Sequence, residues 1–167
     1  MKKIFALTIL LTSLNFSKTF DFLQQNFNAE IVEFSEINNK KKKKIYNLEY
    51  MPNTVKFEVL EPKLNKGEII TYSNGKKTLY SPKLKQTVEQ KLSFDDTSLY
   101  SILEELSNMD KNSTYEIKNR KYIFENKVLV EIIADKYKIR FSEYIDKKPQ
   151  KIQYISNYAN FEYLIKY

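Results

Sequence analysis

The stretch "TYSNGKKTLYSPKLKQ", Thr71 to Gln86, carries the clearest fold signal in the chain. Two strand-like runs, rich in β-branched and aromatic residues, flank Asn74-Gly75, the dipeptide most typical of a two-residue β-hairpin turn. A Tyr-x-Pro at Tyr80 and then Gln86 follow at short spacing. Because the chain contains no histidine or cysteine, the commonest catalytic side chains are missing. The stretch predicts an antiparallel hairpin that forms one wall of an apolar pocket.

The composition is typical of one folded domain built mainly from strands. The chain has 167 residues, of which 42% are hydrophobic, and this is enough for one sizeable core. It contains 13 tyrosines and 11 phenylalanines but only 2 glycines, and aromatic residues favour strands. A mainly β class with a few helices follows.

Alternation of apolar and polar residues extends over most of the chain, as in strands with one apolar and one hydrated face. Turn clusters separate these runs, for example at Pro52-Asn53 and at residues 62–67. Together with the opening hairpin they predict an antiparallel meander of about eleven strands. The alternating sets are Val32/Phe34, Tyr46/Leu48/Tyr50, Val55/Phe57/Val59, Ile70/Tyr72, Tyr115/Ile117, Tyr122/Phe124, Val128/Val130/Ile132, Tyr137/Ile139/Phe141, Ile152/Tyr154 and Phe161/Tyr163/Ile165.

Two segments have helical spacing instead. Phe16, Phe20, Leu23 and Phe27 predict a short amphipathic helix within residues 17–27. Residues 98–109, with an apolar stripe that begins at Leu99, predict a second one.

A sheet of this length must curl, and the two helices need a surface on which to bury their apolar stripes. We therefore expect a mainly β (α+β) fold, an incomplete antiparallel β-barrel with helices covering its concave apolar face. The pattern alone is equally compatible with an open pocket beneath the helices and with a packed core.

The N-terminus resembles a secretory signal. Met1-Lys2-Lys3 precedes the apolar run "IFALTILLTSL", which is too short to span a bilayer, since a span needs about 20 residues. We expect residues 1–17 to be a cleaved signal peptide and residues 18–167 to form a single exported domain. An uncleaved anchor is the alternative, because no Ala-x-Ala motif follows. No cysteine is available for lipid attachment, so the exported form is expected to be soluble.

The residue types argue against an enzyme. Without histidine or cysteine the usual bases, metal ligands and thiol nucleophiles are missing, so we expect no catalytic site, no metal and no cofactor. Asp95-Asp96 is interpreted as helix-start charge and Glu104-Glu105 as a solvated helix face. The net charge of +7 comes almost entirely from lysine. Because arginine is preferred for reading bases, a nucleic-acid partner is not expected.

Five consecutive lysines form the largest local charge: Lys40, Lys41, Lys42, Lys43 and Lys44. They would attract anionic lipid or an acidic partner, at about 1 kcal/mol per lysine near such a surface. A solvated loop between two strands is the alternative interpretation.

Residues 51–88, about a quarter of the chain, resemble the LolA family of periplasmic lipoprotein carriers. The shared features are Pro52, the strand with Val55 and Phe57, Pro62, Asn74-Gly75-Lys76, and Tyr80-Ser81-Pro82 with Gln86. Two positions differ. Met51 stands where the family commonly has an arginine that holds its helical lid closed, and Ile45 replaces a glycine.

The resemblance implies a carrier that holds lipoprotein acyl chains in an apolar cavity and moves lipoproteins from the inner to the outer membrane. Its implied partners are lipidated proteins, an ATP-driven inner-membrane releasing complex and an outer-membrane lipoprotein receptor, and the chain is expected to be a monomer. The alternative is an envelope interaction module that binds a protein in the same concavity. The residues expected to line the cavity are Phe20, Leu23, Phe27, Val55, Phe57, Val59, Ile70, Tyr72, Leu99, Leu103, Tyr137, Ile139 and Phe141, with Met51 at the lid-lock position.

Overall fold

The computed structural model of the chain describes residues 20–92, 98–111, 120–126 and 128–167. They contain eleven strands, one α-helix and one short 3₁₀ turn, Asp21–Gln24. The elements are β1 (Phe27–Ile37), β2 (Lys40–Met51), β3 (Thr54–Glu61), β4 (Ile69–Ser73), β5 (Lys76–Ser81), β6 (Gln86–Lys91), α1 (Leu99–Lys111), β7 (Arg120–Glu125), β8 (Val128–Ala134), β9 (Tyr137–Ile145), β10 (Lys148–Ser156) and β11 (Ala159–Lys166).

All the strands form one antiparallel sheet, in the order β6-β5-β4-β3-β2-β1-β11-β10-β9-β8-β7. It consists of two meanders, β1 to β6 and β7 to β11, joined where β1 pairs with β11. Because β6 and β7 are the two ends of this order and do not pair, the sheet is not closed. The expected class, an incomplete antiparallel barrel, is therefore confirmed.

The opening hairpin is confirmed in detail. β4 pairs with β5 from Ile69 opposite Tyr80 to Ser73 opposite Lys76. Asn74 has φ 52° and Gly75 has φ 70° between them. Two positive φ angles are what a type I′ turn requires, and Asn-Gly adopts them at low cost.

One predicted strand and one observed strand do not correspond. The Tyr115/Ile117 segment lies outside the described residues. β6 was not predicted, because its sequence "QTVEQK" contains a single apolar residue and all of its side chains are exposed. Residues 86–91 form a strand because they pair with β5, although their sequence does not alternate between apolar and polar residues.

The predicted helices have different outcomes. The second is confirmed as α1, and the stripe of Leu99, Ile102, Leu103 and Leu106 is buried. The first is wrong at its end, since Phe27 begins β1 opposite Tyr50 of β2. The described part before Phe27 contains only the 3₁₀ turn, and residues 17–19 lie outside the described residues.

The face assigned to β1 is also wrong. Ala29 and Ile31 point into the core, whereas Phe34 is 41% exposed. Since side chains alternate along a strand, Val32 and Phe34 lie together on the outer face, and Glu33 points inward. β1 carries apolar residues on both faces, so the alternation of its sequence alone does not identify which face is buried.

A bulge changes the alternation in β8. Ile123 of β7 pairs with Glu131 and Phe124 pairs with Leu129, so Val130 has no opposite residue. Leu129 and Ile132 are consequently both 0% exposed although they lie three positions apart. The predicted set Val128/Val130/Ile132 is therefore right only for Ile132.

Candidate functional site

The candidate site is the concave face of the sheet together with α1 and the 3₁₀ turn above it. Every residue that was expected to line a cavity lies in, or packs against, the hydrophobic core of the described residues. Phe27, Ile70 and Tyr137 are partly buried and pack against the core. The fully buried members are Phe20, Leu23, Val55, Phe57, Val59, Tyr72, Leu99, Leu103, Ile139 and Phe141.

In the described state α1 occupies the concave face. Leu103 and Leu106 are 2% and 0% exposed, and Ile132, Ile139 and Ile152 of the sheet are equally buried. The helix and the inner side chains therefore form one packed layer. An acyl chain would enter this region only after α1 has moved or neighbouring side chains have changed their rotamers.

A series of aromatic rings leads from the sheet to α1. Tyr46 contacts Phe57 edge-on, with ring centroids 5.8 Å apart, and Phe57 contacts Tyr72 in the same way at 6.0 Å. Tyr72 then stacks on Tyr100 of α1, with centroids 4.3 Å apart and ring planes at 9°. Such contacts fix the position of the first turn of α1 relative to β4.

On its other side, α1 contacts β7. Glu105 accepts a hydrogen bond of 2.8 Å from the Tyr122 hydroxyl and forms an ion pair of 2.6 Å with Nη1 of Arg120. The Glu105 side chain is 12% exposed and that of Arg120 is 29% exposed, so solvent screens this pair only partly. We call Glu105, Arg120 and Tyr122 the α1 latch. The prediction that Glu104-Glu105 is a solvated face is right for Glu104 and wrong for Glu105.

These two attachments show how strongly the sheet curls. Tyr100 contacts β4 and Glu105 contacts β7, and five helical residues rise about 7.5 Å. In a flat sheet the eight strand spacings between β4 and β7 would separate them by about 38 Å. Curling brings the two flanks together, and α1 bridges them across the concave face.

The α1 latch also shifts the pKa values of its own side chains. Burial and the Glu105 carboxylate raise the pKa of the Tyr122 hydroxyl. Partial burial disfavours the Arg120 charge, but Glu105 and Tyr137 outweigh it and raise the pKa of Arg120 above its usual value. Arg120 also lies over the Tyr137 ring, 5.8 Å from its centroid. Because Glu105 and Arg120 lie on separate elements, sequence spacing gave no signal for their pairing.

The 3₁₀ turn is attached to the sheet near the end of β2. The Tyr50 hydroxyl donates a hydrogen bond of 3.1 Å to the Leu23 carbonyl. The Tyr50 ring stacks on Phe27, with centroids 4.7 Å apart. Leu23 is 0% exposed. These contacts hold the 3₁₀ turn against the same apolar layer as α1.

One inward carboxylate was not predicted. Glu33 of β1 accepts a hydrogen bond of 3.3 Å from the hydroxyl of Tyr46, which is buried on the inner face of β2. Burial raises the pKa of Glu33, while Lys44 and the Tyr46 hydrogen bond oppose the rise. Its position between the apolar residues Val32 and Phe34 suggested the solvent face, and the inverted face of β1 explains the error.

We expect Glu33→Gln to raise the free energy of unfolding at pH 7. Because the folded-state pKa of Glu33 is raised, its carboxyl ionises at a lower pH in the unfolded chain than in the folded protein. The contribution of Glu33 to the free energy of unfolding is therefore fully present below about pH 4.3 and is lost as pH rises through the folded-state pKa. Glutamine does not titrate and still accepts the Tyr46 hydrogen bond. Urea unfolding at pH 3.5 and pH 7 measures the difference, with exposed Glu58→Gln as the control. A pH-independent difference would contradict the assignment.

The remaining predicted positions lie away from the concave face. Met51 is the last residue of β2, is half-buried and stands opposite Thr54 across the β2–β3 turn. Lys40 to Lys43 are exposed at the start of β2, and Lys44 is half-buried. The lysine run therefore forms part of a strand next to the β1–β2 turn.

Two surface depressions have mixed polar and apolar linings. One, of about 490 Å³, lies on the outer face of β1 to β3 and β11, and Glu30, Asn47, Lys56 and Lys166 contribute to it. The other, of about 680 Å³, lies beside β7 and β8 and includes Arg120, Lys121 and Asp135. None of the predicted cavity residues lines either depression.

Within the described ranges the structure limits two other kinds of site. No described helix has the length and apolar content needed to cross a membrane. The described residues also contain no cluster of three or more carboxylate side chains placed to hold a metal ion.

Comparison with known proteins rests on structure. No protein-family model matches the chain, and no curated protein matches its sequence significantly. A LolA superfamily protein from Nitrosomonas europaea superposes with TM-score 0.58 at 12% identity, over 92% of this chain and 90% of that one. A putative outer membrane lipoprotein-sorting protein domain from Vibrio parahaemolyticus gives TM-score 0.51 at 9% identity, over 83% of each chain. A DUF1329 family protein from Desulfovibrio piger gives 0.50 at 10% identity, over 87% of this chain and 86% of that one. In its eleven-stranded open sheet and its covering helix, this chain has the LolA-like fold.

Proposed function

We propose that this protein is a periplasmic carrier that shields the acyl chains of lipoproteins and moves lipoproteins between the inner and outer membranes. The observation that carries the proposal is the curled sheet whose concave face is apolar and aromatic and is covered by one helix. The LolA-like fold supports it, and the apolar N-terminal run supports export with cleavage after residue 17. We propose no enzymatic activity.

The physical need for such a carrier is large. Exposing an acyl chain of about fifteen carbons to water costs about 12 kcal/mol, at about 0.8 kcal/mol per methylene. Phe57, Tyr72, Ile139 and Phe141 offer apolar surface on the concave face. In the described state this surface is covered by α1, so uptake requires α1 to move away from the sheet, and acyl chains then replace its apolar stripe.

Movement of α1 breaks the polar contacts that attach it to β7. The α1 latch to β7 is only partly buried, and Tyr100 is half-buried where it stacks on Tyr72. With Met51 in place of an arginine, the latch rather than the lid-lock position supplies the ionic contact that holds α1. We propose that loading comes from an ATP-driven inner-membrane complex and unloading occurs at an outer-membrane receptor.

The test is extraction of lipoproteins. The purified protein, incubated with membranes from its own cell, should bring acylated lipoproteins into the soluble fraction, where mass spectrometry identifies them. A lipoprotein whose acyl-bearing cysteine is replaced by serine should not be retained. Because Phe34 lies on the outer face, Phe34→Glu should extract as well as the wild type.

Failure to extract any acylated lipoprotein of its own cell would refute the carrier function. Retention of one non-acylated envelope protein in equal amount would instead identify an interaction module with the same fold.

A further inference from the structure

Two neighbouring loops at one end of the sheet present exposed leucines. Leu64, in the β3–β4 loop, is 75% exposed, and Leu84, in the β5–β6 turn, is 68% exposed. Ile69 at the start of β4 pairs with Tyr80 near the end of β5, so both loops leave the sheet on the same side. We call residues 62–67 and 82–85 the leucine tips.

Both leucine tips have the same short sequence and the same charge. Residues 62–67 read "PKLNKG" and residues 82–85 read "PKLK", so each leucine follows Pro-Lys and each tip carries two lysines and no acidic residue. Lys63, Lys66, Lys83 and Lys85 are all exposed. Single exposed leucines are common on protein surfaces, but two on adjacent tips, each flanked by lysines, form a repeated arrangement.

The two tips are held against each other. Nζ of Lys83 donates a hydrogen bond to the Leu64 carbonyl. Gly67 has φ 83°, and a β-carbon there would lie 3.4 Å from Cγ of Pro82. Backbone hydrogen bonds also close the first loop, from Gly67 N to Val59 O at 2.8 Å and from Glu68 N to Asn65 O at 3.0 Å. The leucines therefore project from a fixed platform.

The lysine run lies at the same end of the molecule. Glu61, the last residue of β3, pairs with Ile45, so Lys40–Lys44 extend beyond it toward the β3–β4 loop. Two nearby carboxylates are already in contact with other groups. Glu61 lies 4.0 Å from Lys43, and Glu68 accepts a hydrogen bond of 2.9 Å from Asn65. This end is strongly basic, and the leucine tips project two apolar side chains from it.

We propose that the leucine tips dock this protein on anionic lipid bilayers. Leu64 and Leu84 enter the interfacial region, while the flanking lysines and the lysine run contact lipid phosphates. Interfacial binding combines buried apolar area with attraction of cations to anionic lipid, and lysine stems extend along the apolar boundary while their ammonium groups stay hydrated. This docking does not depend on the carrier function.

A bilayer fits this surface better than an acidic protein does. The leucines project from convex tips and do not line a groove. Protein interfaces favour arginine and large aromatic anchors, whereas the leucine tips contain neither. A fluid surface needs no matching pocket for each projecting side chain.

The chain contains no tryptophan, so a single introduced tryptophan gives an unmixed fluorescence signal. Leu84→Trp in the full chain should show blue-shifted emission with vesicles of phosphatidylcholine containing about one third phosphatidylglycerol, and little shift with phosphatidylcholine alone. Ile145→Trp is the matched control, since Ile145 is 62% exposed at the opposite end of the sheet. Because the probe reports on its own surroundings, any vesicle contact of residues 4–14 does not produce the signal.

The lysines are tested in the Leu84→Trp background. Lys63→Gln with Lys85→Gln should raise the lipid concentration for half-maximal shift about 25-fold, because each lysine near an anionic surface contributes about fivefold. Lys91→Gln with Lys147→Gln removes the same charge at the opposite end and should have no such effect. Lys85 and Lys147 both have a positive φ angle, 51° and 63°, so the control replaces a lysine in a similar backbone conformation.

Three results would overturn the proposal. The first is an unshifted Leu84→Trp with anionic vesicles, and the second is an equal shift for Ile145→Trp. The third is a Leu84→Trp shift with polyglutamate but not with vesicles, which would identify the surface as a site for acidic protein.

Discussion

Glu105→Gln is expected to lower the free energy of unfolding by about 2 kcal/mol and to increase uptake of an uncharged apolar dye such as Nile red. The change keeps the shape of the side chain but leaves the Arg120 guanidinium, whose side chain is only 29% exposed, without its carboxylate. Breaking a fully buried pair costs about 3 to 5 kcal/mol, and partial exposure of this one reduces the cost. Dye uptake increases because α1 of the variant has no Glu105–Arg120 ion pair to break, so moving the helix away from the sheet costs less free energy.

Glu104→Gln is the matched control for this prediction. Glu104 is the preceding residue of α1, is exposed, and accepts a hydrogen bond of 2.9 Å from Tyr100 on the helix surface. We expect it to change stability by less than about 0.5 kcal/mol. Urea unfolding and dye titration compare the two variants directly. Equal effects of the two substitutions would show that the α1 latch does not hold the helix.

The latch and its control illustrate what the sequence alone can predict. The α1 stripe was readable because Leu99, Ile102, Leu103 and Leu106 repeat at helical spacing and are buried as that spacing requires. The partner of Glu105 was not readable. Glu104 and Glu105 have the same chemistry, and only the curl that brings β7 over the helix separates their environments.

The errors in β1 have a related cause. Phe27 fits both a helix, through its spacing from Leu23, and a strand, through pairing with Tyr50, and the sheet pairing prevails. Val32 and Phe34 satisfy the alternation rule, but so do Ala29 and Ile31, and the register with β2 and β11 selects the latter pair as the inner face. Turn chemistry was more reliable, since Asn74-Gly75 determines its hairpin with only local interactions.

The leucine tips are visible in the sequence as two Pro-Lys-Leu segments, of which only the first, in residues 62–67, was interpreted as a turn. Their adjacency depends on the pairing of β3, β4 and β5, and the exposure of Leu64 and Leu84 depends on the turn geometry. Local composition therefore predicted the elements, and pairing between distant strands determined which side chains came together.

A covalent tie between α1 and β7 is expected to abolish extraction of lipoproteins. The chain has no cysteine, so Glu105→Cys together with Tyr122→Cys introduces the only two thiols, at positions whose native side chains meet at 2.8 Å. A short bismaleimide then holds α1 on the sheet. If acyl chains enter beneath α1, the cross-linked protein should leave lipoproteins in the membrane, whereas the same double variant without the cross-linker should extract them.

The cross-linked variant separates movement of α1 from loss of the fold. Because the tie joins elements that already touch, circular dichroism should be unchanged and unfolding should require more urea, as expected when the unfolded chain is constrained. Each single-cysteine variant treated with the same reagent controls for modification without a tie. Full extraction by the cross-linked protein would place the acyl chains elsewhere on the molecule and exclude α1 as the moving cover of the concave face.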